Sequence, residues 1–489
     1  MPYSRIDVRD SATAQLALAL AALKTEFKLP PEFPAEVLAE TRRAIADQAL
    51  PELDLSAWPF LTIDPPGSQD LDQAMFLERT GQGYSVHYAI AEVPSFVRPG
   101  GTLDAETRRR GQTVYTPDGR VPLHPAELSE GAASLLAHQL RPAFVWDIEL
   151  DARGSVTGAV VRRARVRSVA KLGYEQAQEM LDGGTAPQKI HGTLELLKEI
   201  GLKRIALEHQ RGGASLNVPR QEVEFDGGTY RLVFRPALPV EDWNAQISLL
   251  TGMAAATIML EGKVGILRTM PEPDEAALTT FRHQSQALGR PWPEDLAYGD
   301  FLRTLDTSDP RQLALMHAAA SLFRGAGYVA FDGELPEKTA QAAVAAPYAH
   351  TTAPLRRLVD RFVLVICAAL CEGAEVPGWA RLALPQLPAL MMASDQQANA
   401  VDRAALDTVE AAVLSSRIGH QFDAVVVAGP RSNGKGSGNG SPAAPRSTVQ
   451  IQDPAITAYC EGELEPGSRA TVTLVRADIP GRTVLFRAG

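Results

Sequence analysis

The sequence FLTIDPPGSQDLDQAMFLE, residues 60–78, is the stretch from which we infer the fold and the chemistry of this chain. Its first four residues are apolar or β-branched and include no turn former, which predicts a buried strand. Asp64 ends that strand, and the Pro-Pro-Gly behind it predicts an irregular loop. Asp70 and Asp72 come next, and in an extended backbone side chains two positions apart point to the same side.

Three carboxylates come together if this loop returns past Asp64. Such a cluster repels itself unless hard cations lie between its members, and oxygen ligands suit Mg²⁺ or Mn²⁺. Asp is also frequent in turns for purely local reasons. The spacing alone therefore leaves both a metal site and an ordinary turn open.

The segment IDPPGSQDLDQA resembles the acidic signature of the RNB family, the ribonuclease II and ribonuclease R type exoribonucleases. Asp64, Asp70 and Asp72 match this signature, whereas Gln73 stands where the family usually has a fourth Asp. The resemblance implies that the three aspartates are metal ligands and that Asp72 takes part in catalysis. It leaves Gln73 as a candidate ligand that offers only a neutral oxygen.

A second motif, PYAHTTAPLRRLVDRFVL at residues 347–364, resembles the family pattern Y-x-H-F-T-S-P-I-R-R-Y-x-D-L in order and spacing. Pro354 predicts that Arg356 and Arg357 lie in the first turn of a helix, where a bound phosphate offsets the unfavourable interaction with the helix dipole. The alternative is a structural ion pair between Arg356 and Asp360, four residues on. We favour phosphate contact for Arg356, which would then act in catalysis, and leave Arg357 open between an RNA contact and a structural role.

Two further positions are assigned by resemblance. Residues 115–142 are similar to the family's VYLPxxxxPMLPxxLS segment, which implies that Tyr115 stacks on the 3′-terminal nucleotide. Residues 391–416 predict a long amphipathic helix. The Asp402-Arg403 pair on that helix loosely matches a Glu-Arg pair of ribonuclease II, which makes Asp402 a candidate RNA contact.

The sequence VRRARVRS, residues 161–168, predicts a strand that places Arg163, Arg165 and Arg167 on one face. Such a face is ordinarily a solvated surface, but with an RNA substrate these arginines are candidates for phosphate contacts. Their position matters because the formal net charge of the chain is −10. That charge argues against a nucleic-acid partner unless basic residues are concentrated locally.

Composition divides the 489 residues into three parts. Residues 1–55 predict two helices separated by prolines, either a small helix-turn-helix module or an arm that packs on the rest of the chain. Residues 56–416 carry both motifs and constitute the expected catalytic domain. Residues 417–489 contain short β-branched runs joined by glycine and proline turns, which fits a five-stranded OB fold, and they resemble an S1 domain. Within them, residues 431–447 have the composition of a mobile linker.

The apolar runs, the N-terminal sequence and the cysteine count also indicate the cellular compartment. No apolar run approaches the roughly 20 residues that a membrane-spanning helix needs, and the N-terminus lacks the basic and apolar regions of a signal peptide. Three cysteines cannot build a disulfide framework, and Cys367 and Cys371 fall in an apolar run that suits packing. We therefore expect a cytoplasmic protein with no membrane association.

The expected fold is α+β, a mixed α/β RNB catalytic domain with a short helical N-terminal segment and a C-terminal all-β OB-fold barrel. The resemblance implies a 3′→5′ exoribonuclease that degrades single-stranded RNA processively to nucleoside 5′-monophosphates, with Mg²⁺ as cofactor and Mn²⁺ as its substitute. It also implies a monomer without an organic cofactor. The alternative is a catalytically weak RNB-like protein that binds RNA without turnover, which Gln73 keeps open. A phosphohydrolase of small molecules would leave the barrel without a role.

Overall fold

The computed structural model describes residues 4–7, 10–30, 32–214, 220–226, 229–235, 237–306, 309–430, 445–451, 453–454 and 456–489. Within them the helices are α1 (Asp10–Glu26), α2 (Ala35–Ala46), α3 (Thr102–Arg110), α4 (Tyr174–Gly183), α5 (Gln188–Arg211), α6 (Pro239–Glu261), α7 (Glu275–Ala287), α8 (Tyr298–Arg303), α9 (Pro310–Ala319), α10 (Leu358–Cys371), α11 (Gly378–Ala383) and α12 (Leu387–Ser415). The strands are β1 (Ser4–Asp7), β2 (Phe60–Ile63), β3 (Gln73–Arg79), β4 (Gly83–Ala91), β5 (Val114–Thr116), β6 (Gly119–Val121), β7 (Leu140–Asp151), β8 (Val156–Leu172), β9 (Arg220–Asp226), β10 (Thr229–Arg235), β11 (Val264–Thr269), β12 (Gly327–Asp332), β13 (Ala340–Gln341), β14 (Ala346–Pro347), β15 (Gln421–Ala428), β16 (Arg446–Ile451), β17 (Thr457–Glu461), β18 (Arg469–Asp478) and β19 (Thr483–Ala488).

The expected catalytic domain contains a closed barrel with strand order β2-β3-β4-β7-β8, which we call the central barrel. Neighbouring strands are antiparallel except β2 and β8, which run parallel. The strand predicted at the start of the acidic stretch is confirmed as β2. Because Leu61 on β2 pairs with Met75 on β3, the end of β2 and the start of β3 lie at the same end of the barrel. Asp64 and Asp72, which immediately flank these strand ends, are brought together there.

Strand β4 is buried along its whole length because apolar layers cover both of its faces. Tyr88 and Ile90 join a large core that also contains residues of α5, α6 and α10. Ala89 and Ala91 point the other way, into a second core with Val37 of α2. Alternate residues of a strand face opposite sides, so this double burial gives the central barrel a rigid wall beside the site.

The N-terminal helices contact different parts of the chain. The helix α1 packs against α12, whereas α2 packs against α3. The strand β1 pairs antiparallel with β10, so the N-terminal segment also adds an edge to the β9–β10 hairpin. The N-terminal segment thus contacts several other elements, and its assignment as a packing arm or a helix-turn-helix module stays a prediction.

The C-terminal part is a second closed barrel, with strand order β15-β16-β17-β19-β18. It confirms the expectation of an all-β, five-stranded fold. The strand β17 has the sequence TAYCE, which the apolar runs of the sequence did not indicate, and it pairs parallel with β19. Most of the predicted mobile linker, residues 431–444, lies outside the described residues.

The C-terminal barrel shares a hydrophobic core with helices from both ends of the chain. Leu16 and Leu20 of α1, Val409 of α12, and Val472 and Phe486 of the barrel belong to one buried cluster. Apolar surface buried in common disfavours separation of these parts. The C-terminal barrel is therefore attached through packing as well as through the chain itself.

No helix in the described ranges is sufficiently long and apolar to cross a membrane. Cys367 is buried, and the Sγ of Cys371 accepts a hydrogen bond from the Val161 N–H at 3.4 Å. Both cysteines are free and lie in or against the large core, as the expectation of a packing role required.

Candidate active site

A pocket of about 820 Å³ opens at the end of the central barrel where β2 ends and β3 begins. The candidate site residues that line it are Asp64, Asp70, Asp72, Gln73, Tyr115, Arg356 and Asp402. A smaller adjoining pocket contains Arg357 and shares Tyr115, Arg356 and Asp402 with the first. Residues from the acidic stretch, from the second motif and from α12 are thus brought to one place.

Asp64 lies directly after β2, where its backbone N–H donates to the Leu172 carbonyl at 3.1 Å. Burial, followed by the charge of Asp70, raises the pKa of the Asp64 carboxyl to about 6. No hydrogen bond or ion pair to this carboxylate is found among the described residues. A half-buried carboxylate without a hydrogen-bond partner is stabilised by a nearby cation.

Asp72 is buried, with 4% of its surface exposed. Its Oδ1 accepts a hydrogen bond from the Leu355 N–H at 2.7 Å. Burial raises the pKa of the Asp72 carboxyl well above its usual range, and the charge of Arg356 is the largest opposing effect. Asp72 therefore connects the central barrel to the backbone just before Arg356.

The Asp70 carboxylate forms an ion pair with Arg120, a residue that the sequence analysis did not identify. Arg120 donates from Nη1 to Asp70 Oδ1 at 2.7 Å and forms a 2.6 Å ion pair with Glu130. Tyr115 pairs with Arg120 across the β5–β6 hairpin, and its hydroxyl lies 3.5 Å from the other oxygen of Asp70. The Asp-Gly dipeptide at 118–119 carried the signal, because it favours a tight hairpin turn.

The donor set fits a hard divalent cation, although the carboxylates do not form a compact cluster. Among the described residues, no group of three His, Cys, Asp or Glu side chains is close enough to be a ready-made metal site. Asp70 is instead held by Arg120, and Asp72 by Leu355. The charge of Asp70 nevertheless raises the pKa of both Asp64 and Asp72, and a cation among these oxygens would remove that repulsion. The three aspartates are the residues that would hold Mg²⁺ or Mn²⁺.

Gln73 uses both atoms of its side-chain amide in hydrogen bonds. Nε2 donates to the Thr352 carbonyl, and Oε1 accepts from the Tyr88 hydroxyl at 3.1 Å. The side chain lines the same pocket as the aspartates. A contribution of Gln73 to the metal stays a prediction, because its oxygen is already bonded to Tyr88.

The helix after the second motif begins later than expected. The first residue of α10 is Leu358, so the prediction that Arg356 and Arg357 lie in its first turn is wrong. Arg357 is extended, with φ −130° and ψ 127°, and it forms an isolated bridge with Gln112. That contact with a distant segment holds the backbone out of the helix and sets both arginines before its N-terminus.

The two arginines have different partners. Arg357 donates from Nε to Asp360 Oδ2 at 2.9 Å and from Nη2 to Asp360 Oδ1 at 2.8 Å. The alternative of an Arg356–Asp360 pair is therefore wrong, since the buried Asp360 is already bound by Arg357. No partner of the Arg356 guanidinium is found within the described part of the chain, and the side chain lines both pockets.

Tyr115 and Asp402 both line the two adjoining pockets. Tyr115 is 48% exposed although it lines both pockets. An exposed aromatic ring at a pocket wall suits base stacking. Asp402 projects from α12 to the junction of the two pockets. Their roles toward RNA stay predictions.

The arginines of β8 lie on one strand face, opposite the buried Ala164, but they do not line either pocket. Arg163 forms an ion pair with Glu92, and Arg165 forms one with Asp54 at 2.9 Å. For Arg167 no ion pair is found among the described residues. Arg167 is therefore the member of the three that is most available to a phosphate.

Comparison with known protein families gives two matches that cover most of the chain. The RNB domain matches residues 52–373, and the RNase II-type exonuclease C-terminal S1 domain matches residues 420–489. Ribonuclease R of Escherichia coli (strain K12) is 30% identical over 329 residues, covering 63% of this chain and 39% of that protein. The probable exosome complex exonuclease RRP44 of Caenorhabditis elegans is 26% identical over 345 residues, covering 67% of this chain and 35% of that protein. The chain thus spans well under half the length of these two relatives.

Solved structures share the fold at low sequence identity. The apo form of Mycoplasma genitalium RNase R superposes with a TM-score of 0.84 at 17% identity, covering 97% of this chain and 78% of that chain. Yeast Ssd1, described as a pseudonuclease, superposes with a TM-score of 0.62 at 15% identity, covering 91% of this chain and 54% of that chain. At these identities the likeness concerns the fold alone.

Proposed function

The chain belongs to the RNB family, and we propose that it is a 3′→5′ exoribonuclease that hydrolyses single-stranded RNA processively to nucleoside 5′-monophosphates. One observation carries the proposal. The unpaired guanidinium of Arg356 shares a pocket with Asp64, Asp70 and Asp72. A free cation beside carboxylates suits a phosphodiester substrate, which needs one group for its anion and another for the cation that accompanies it.

Hydrolysis requires water to attack phosphorus while negative charge grows on the phosphoryl oxygens. Arg356 binds the scissile phosphate and contacts these oxygens more strongly as their charge increases. Asp72 Oδ1 accepts a hydrogen bond from the Leu355 N–H, and this bond fixes the backbone next to Arg356. The reacting phosphate is in this way positioned against the carboxylates by groups that are already ordered.

Asp64, Asp70 and Asp72 would hold the divalent cation, Mg²⁺ or in its place Mn²⁺. Such a cation supplies an activated water and neutralises charge on the phosphate. The carboxyl of Asp64, with a pKa of about 6, is mostly ionised at neutral pH and so available as a ligand. When substrate enters, Arg120 keeps the charge of Asp70 partly compensated.

The remaining candidates would bind the nucleotides. Tyr115 stacks on the last base, Asp402 borders the terminal nucleoside, and Arg167, with Arg163 and Arg165, contacts phosphates farther along the strand. Arg357, which is paired with Asp360, supports the pocket instead of binding RNA. A preference for RNA over DNA would come from contacts to the 2′-hydroxyl. Mycoplasma genitalium RNase R, which has a similar fold, has been solved with ribose-methylated single-stranded RNA. The expectations of a monomer in the cytoplasm without an organic cofactor belong to the same proposal.

Body-labelled and 5′-labelled single-stranded RNAs of one sequence test the proposal, with the matching DNA as control. With Mg²⁺ or Mn²⁺, we expect the body label to appear as nucleoside 5′-monophosphates from the start. The 5′ label should remain in full-length RNA and then appear in a short end product, without a ladder of intermediates. Internal fragments would indicate an endonuclease, and early release of the 5′ label would reverse the direction.

A second candidate function is RNA binding without turnover. Gln73 favours it, because a neutral amide stands where the family's motif has a fourth acid. RNA bound tightly and recovered intact at every Mg²⁺ and Mn²⁺ concentration would establish this second function and exclude the first.

A further inference from the structure

The Gln73 side chain joins the central barrel to a segment 279 positions away in sequence. Its Nε2 donates to the Thr352 carbonyl, and its Oε1 accepts from Tyr88. The Tyr88 hydroxyl is also 2.9 Å from Ser248 Oγ on α6. The amide is thus oriented at both ends, because a carbonyl oxygen can only accept and so must face the NH₂ group.

Four backbone groups in residues 352–355 are held by side chains. Thr352 O accepts from Gln73, the Ala353 N–H donates to Asp360 at 2.7 Å, the Leu355 N–H donates to Asp72 at 2.7 Å, and Leu355 O accepts from His124 Nδ1 at 3.0 Å. All of residues 352–355 are buried. We call residues 352–355 the arginine-support segment, because Arg356 follows it directly.

The arginine-support segment contains no helix or strand that could fix its position. Its conformation therefore depends on the side chains that bind it and on the turn in which the Arg356 and Arg357 N–H groups donate to the Ala353 carbonyl. None of the other side chains binds Thr352, and among the described residues Gln73 is the donor found for the Thr352 carbonyl. A buried carbonyl left without a donor costs about 1–3 kcal/mol, which is enough for the segment to shift.

A carboxylate at position 73 could not replace this contact. Aspartate or glutamate presents only acceptor oxygens, which repel the Thr352 carbonyl unless a proton or a cation lies between them. The Gln73 amide supplies its own hydrogens. The hydrogen bond from Gln73 to the arginine-support segment therefore forms within the chain and does not require a bound ion.

We propose that Gln73 is a positioning residue for catalysis, which holds the support segment so that Arg356 reaches the scissile phosphate. The inference rests on the proposed function and deepens it. Misplacement of a reacting group by about 1 Å can lower a rate by about 10²-fold. Loss of the Gln73 contacts should accordingly lower kcat and leave KM for long RNA nearly unchanged, because binding is spread over many phosphates.

The test uses the full chain with Gln73→Met, which keeps the length and neutrality of the side chain but removes both hydrogen bonds. Gln73→Glu is a second variant that keeps the acceptor and removes the donor. Gln397→Met is the matched control, because Gln397 Nε2 also donates to a distant carbonyl, that of Phe27 at 2.8 Å, and Gln397 is not among the residues that line the two pockets. We expect kcat to fall about 10- to 100-fold in both Gln73 variants and to stay within about twofold in the control.

A double-mutant cycle separates positioning from a general loss of stability. If Gln73 acts through Arg356, then Gln73→Met should reduce kcat by no more than about threefold when Arg356 is already alanine. Hydrogen exchange of the peptide covering residues 347–357 should also become faster in Gln73→Met than in the wild type or in Gln397→Met. Additive losses in kcat, or unchanged exchange in that peptide, would overturn the positioning role.

Failure of the proposed function gives a different result. A wild-type protein without turnover removes the exoribonuclease proposal, and the hold of Gln73 on the segment before Arg356 is then judged by hydrogen exchange alone. Faster exchange of residues 347–357 in Gln73→Met than in Gln397→Met supports that hold, and equal exchange in the two variants overturns it.

Discussion

The Arg357 guanidinium binds the Asp360 carboxylate through two parallel hydrogen bonds of 2.9 and 2.8 Å. Asp360 also accepts the Ala353 N–H, so its oxygens are occupied by the segment that precedes the helix. This pairing leaves Arg356 as the neighbouring cation that is open to the pocket. Of two adjacent arginines, one is therefore held in a buried ion pair and the other is open to the pocket.

Arg356→Ala should lower kcat on single-stranded RNA by about 10²-fold or more, because one preorganised charge contact to the transition state is lost. The melting temperature should fall less than in Arg357→Ala, because the Arg356 guanidinium makes no hydrogen bond or ion pair among the described residues and acts on Asp64 and Asp72 through its charge. Steady-state kinetics and a thermal melt on the same preparation measure both quantities. Ordinary turnover in this variant would exclude Arg356 from the reaction.

Arg357→Ala is the matched comparison and should behave in the opposite way. It leaves the buried Asp360 without its cation, and removal of one partner from a buried pair costs about 3–5 kcal/mol. We expect a clear loss of stability in urea unfolding. A variant as stable as the wild type would show that Arg357 is not a structural residue and would return it to the RNA contacts.

Asp72→Asn should abolish cleavage while RNA affinity changes little. The variant keeps an oxygen that can accept the Leu355 N–H but loses the charge proposed for the metal. Binding is spread over many phosphate contacts, so the Kd for RNA measured by anisotropy should stay within about threefold. Near-normal activity would remove Asp72 from the metal site.

Gln73→Asp should lower two measured quantities, the Mg²⁺ concentration at which the rate saturates and the maximal rate. The added charge should strengthen cation binding, so the rate should saturate at lower Mg²⁺ than in the wild type, which we expect to need relatively high Mg²⁺. The lost donor to Thr352 should reduce the maximal rate. Titration of Mg²⁺ against initial rate gives both values, and superimposable curves would place position 73 outside the metal shell and outside the support of Arg356.

Tyr459→Ala should weaken capture of long RNA. Tyr459 lies on β17 of the C-terminal barrel and is 51% exposed, and stacking of one base on an aromatic ring contributes about 1–3 kcal/mol. Affinity for long RNA should therefore fall about tenfold, and cleavage of very short oligomers should be unaffected. Leu382→Ala, which truncates another exposed side chain outside this barrel, is the control. Equal affinity in the two variants would exclude Tyr459 as a stacking residue.

Glu92→Gln should stabilise the protein more at pH 8 than at pH 5. Burial raises the pKa of the Glu92 carboxyl to about 7, against the opposing charge of Arg163. The folded state thus binds a proton that the unfolded chain has released between about pH 4.5 and 7, and stability falls as pH rises through that window. Glutamine removes this penalty, on the order of 3 kcal/mol at pH 8. Thermal melts of the wild type and of Glu92→Gln at pH 5 and pH 8 measure this difference. An equal change in melting temperature at the two pH values would contradict the raised pKa of Glu92.

Local chemistry determined much of this protein. The apolar run 60–63 became β2 because its neighbours in sequence offer no competing structure, and the acidic residues after it could only lie at that strand's end. The alternation of residues 161–168 likewise fixed which arginines share a face of β8. These features depend on interactions within a few residues, and for that reason they can be inferred from the chain itself.

Partner choice was decided by tertiary structure. Asp360 lies within reach of both Arg356 and Arg357, and it pairs with Arg357 because the bridge to Gln112 delays the start of α10. Arg120 reaches Asp70 only through the β5–β6 hairpin, 50 positions on. The sequence indicates Gln73 as a candidate metal ligand that offers only a neutral oxygen. Folding brings Thr352 and Tyr88 within hydrogen-bond distance of its two amide atoms. Hydrogen-bond partners far apart in sequence are selected by how the barrel and the helices pack, and that packing is a property of the whole chain.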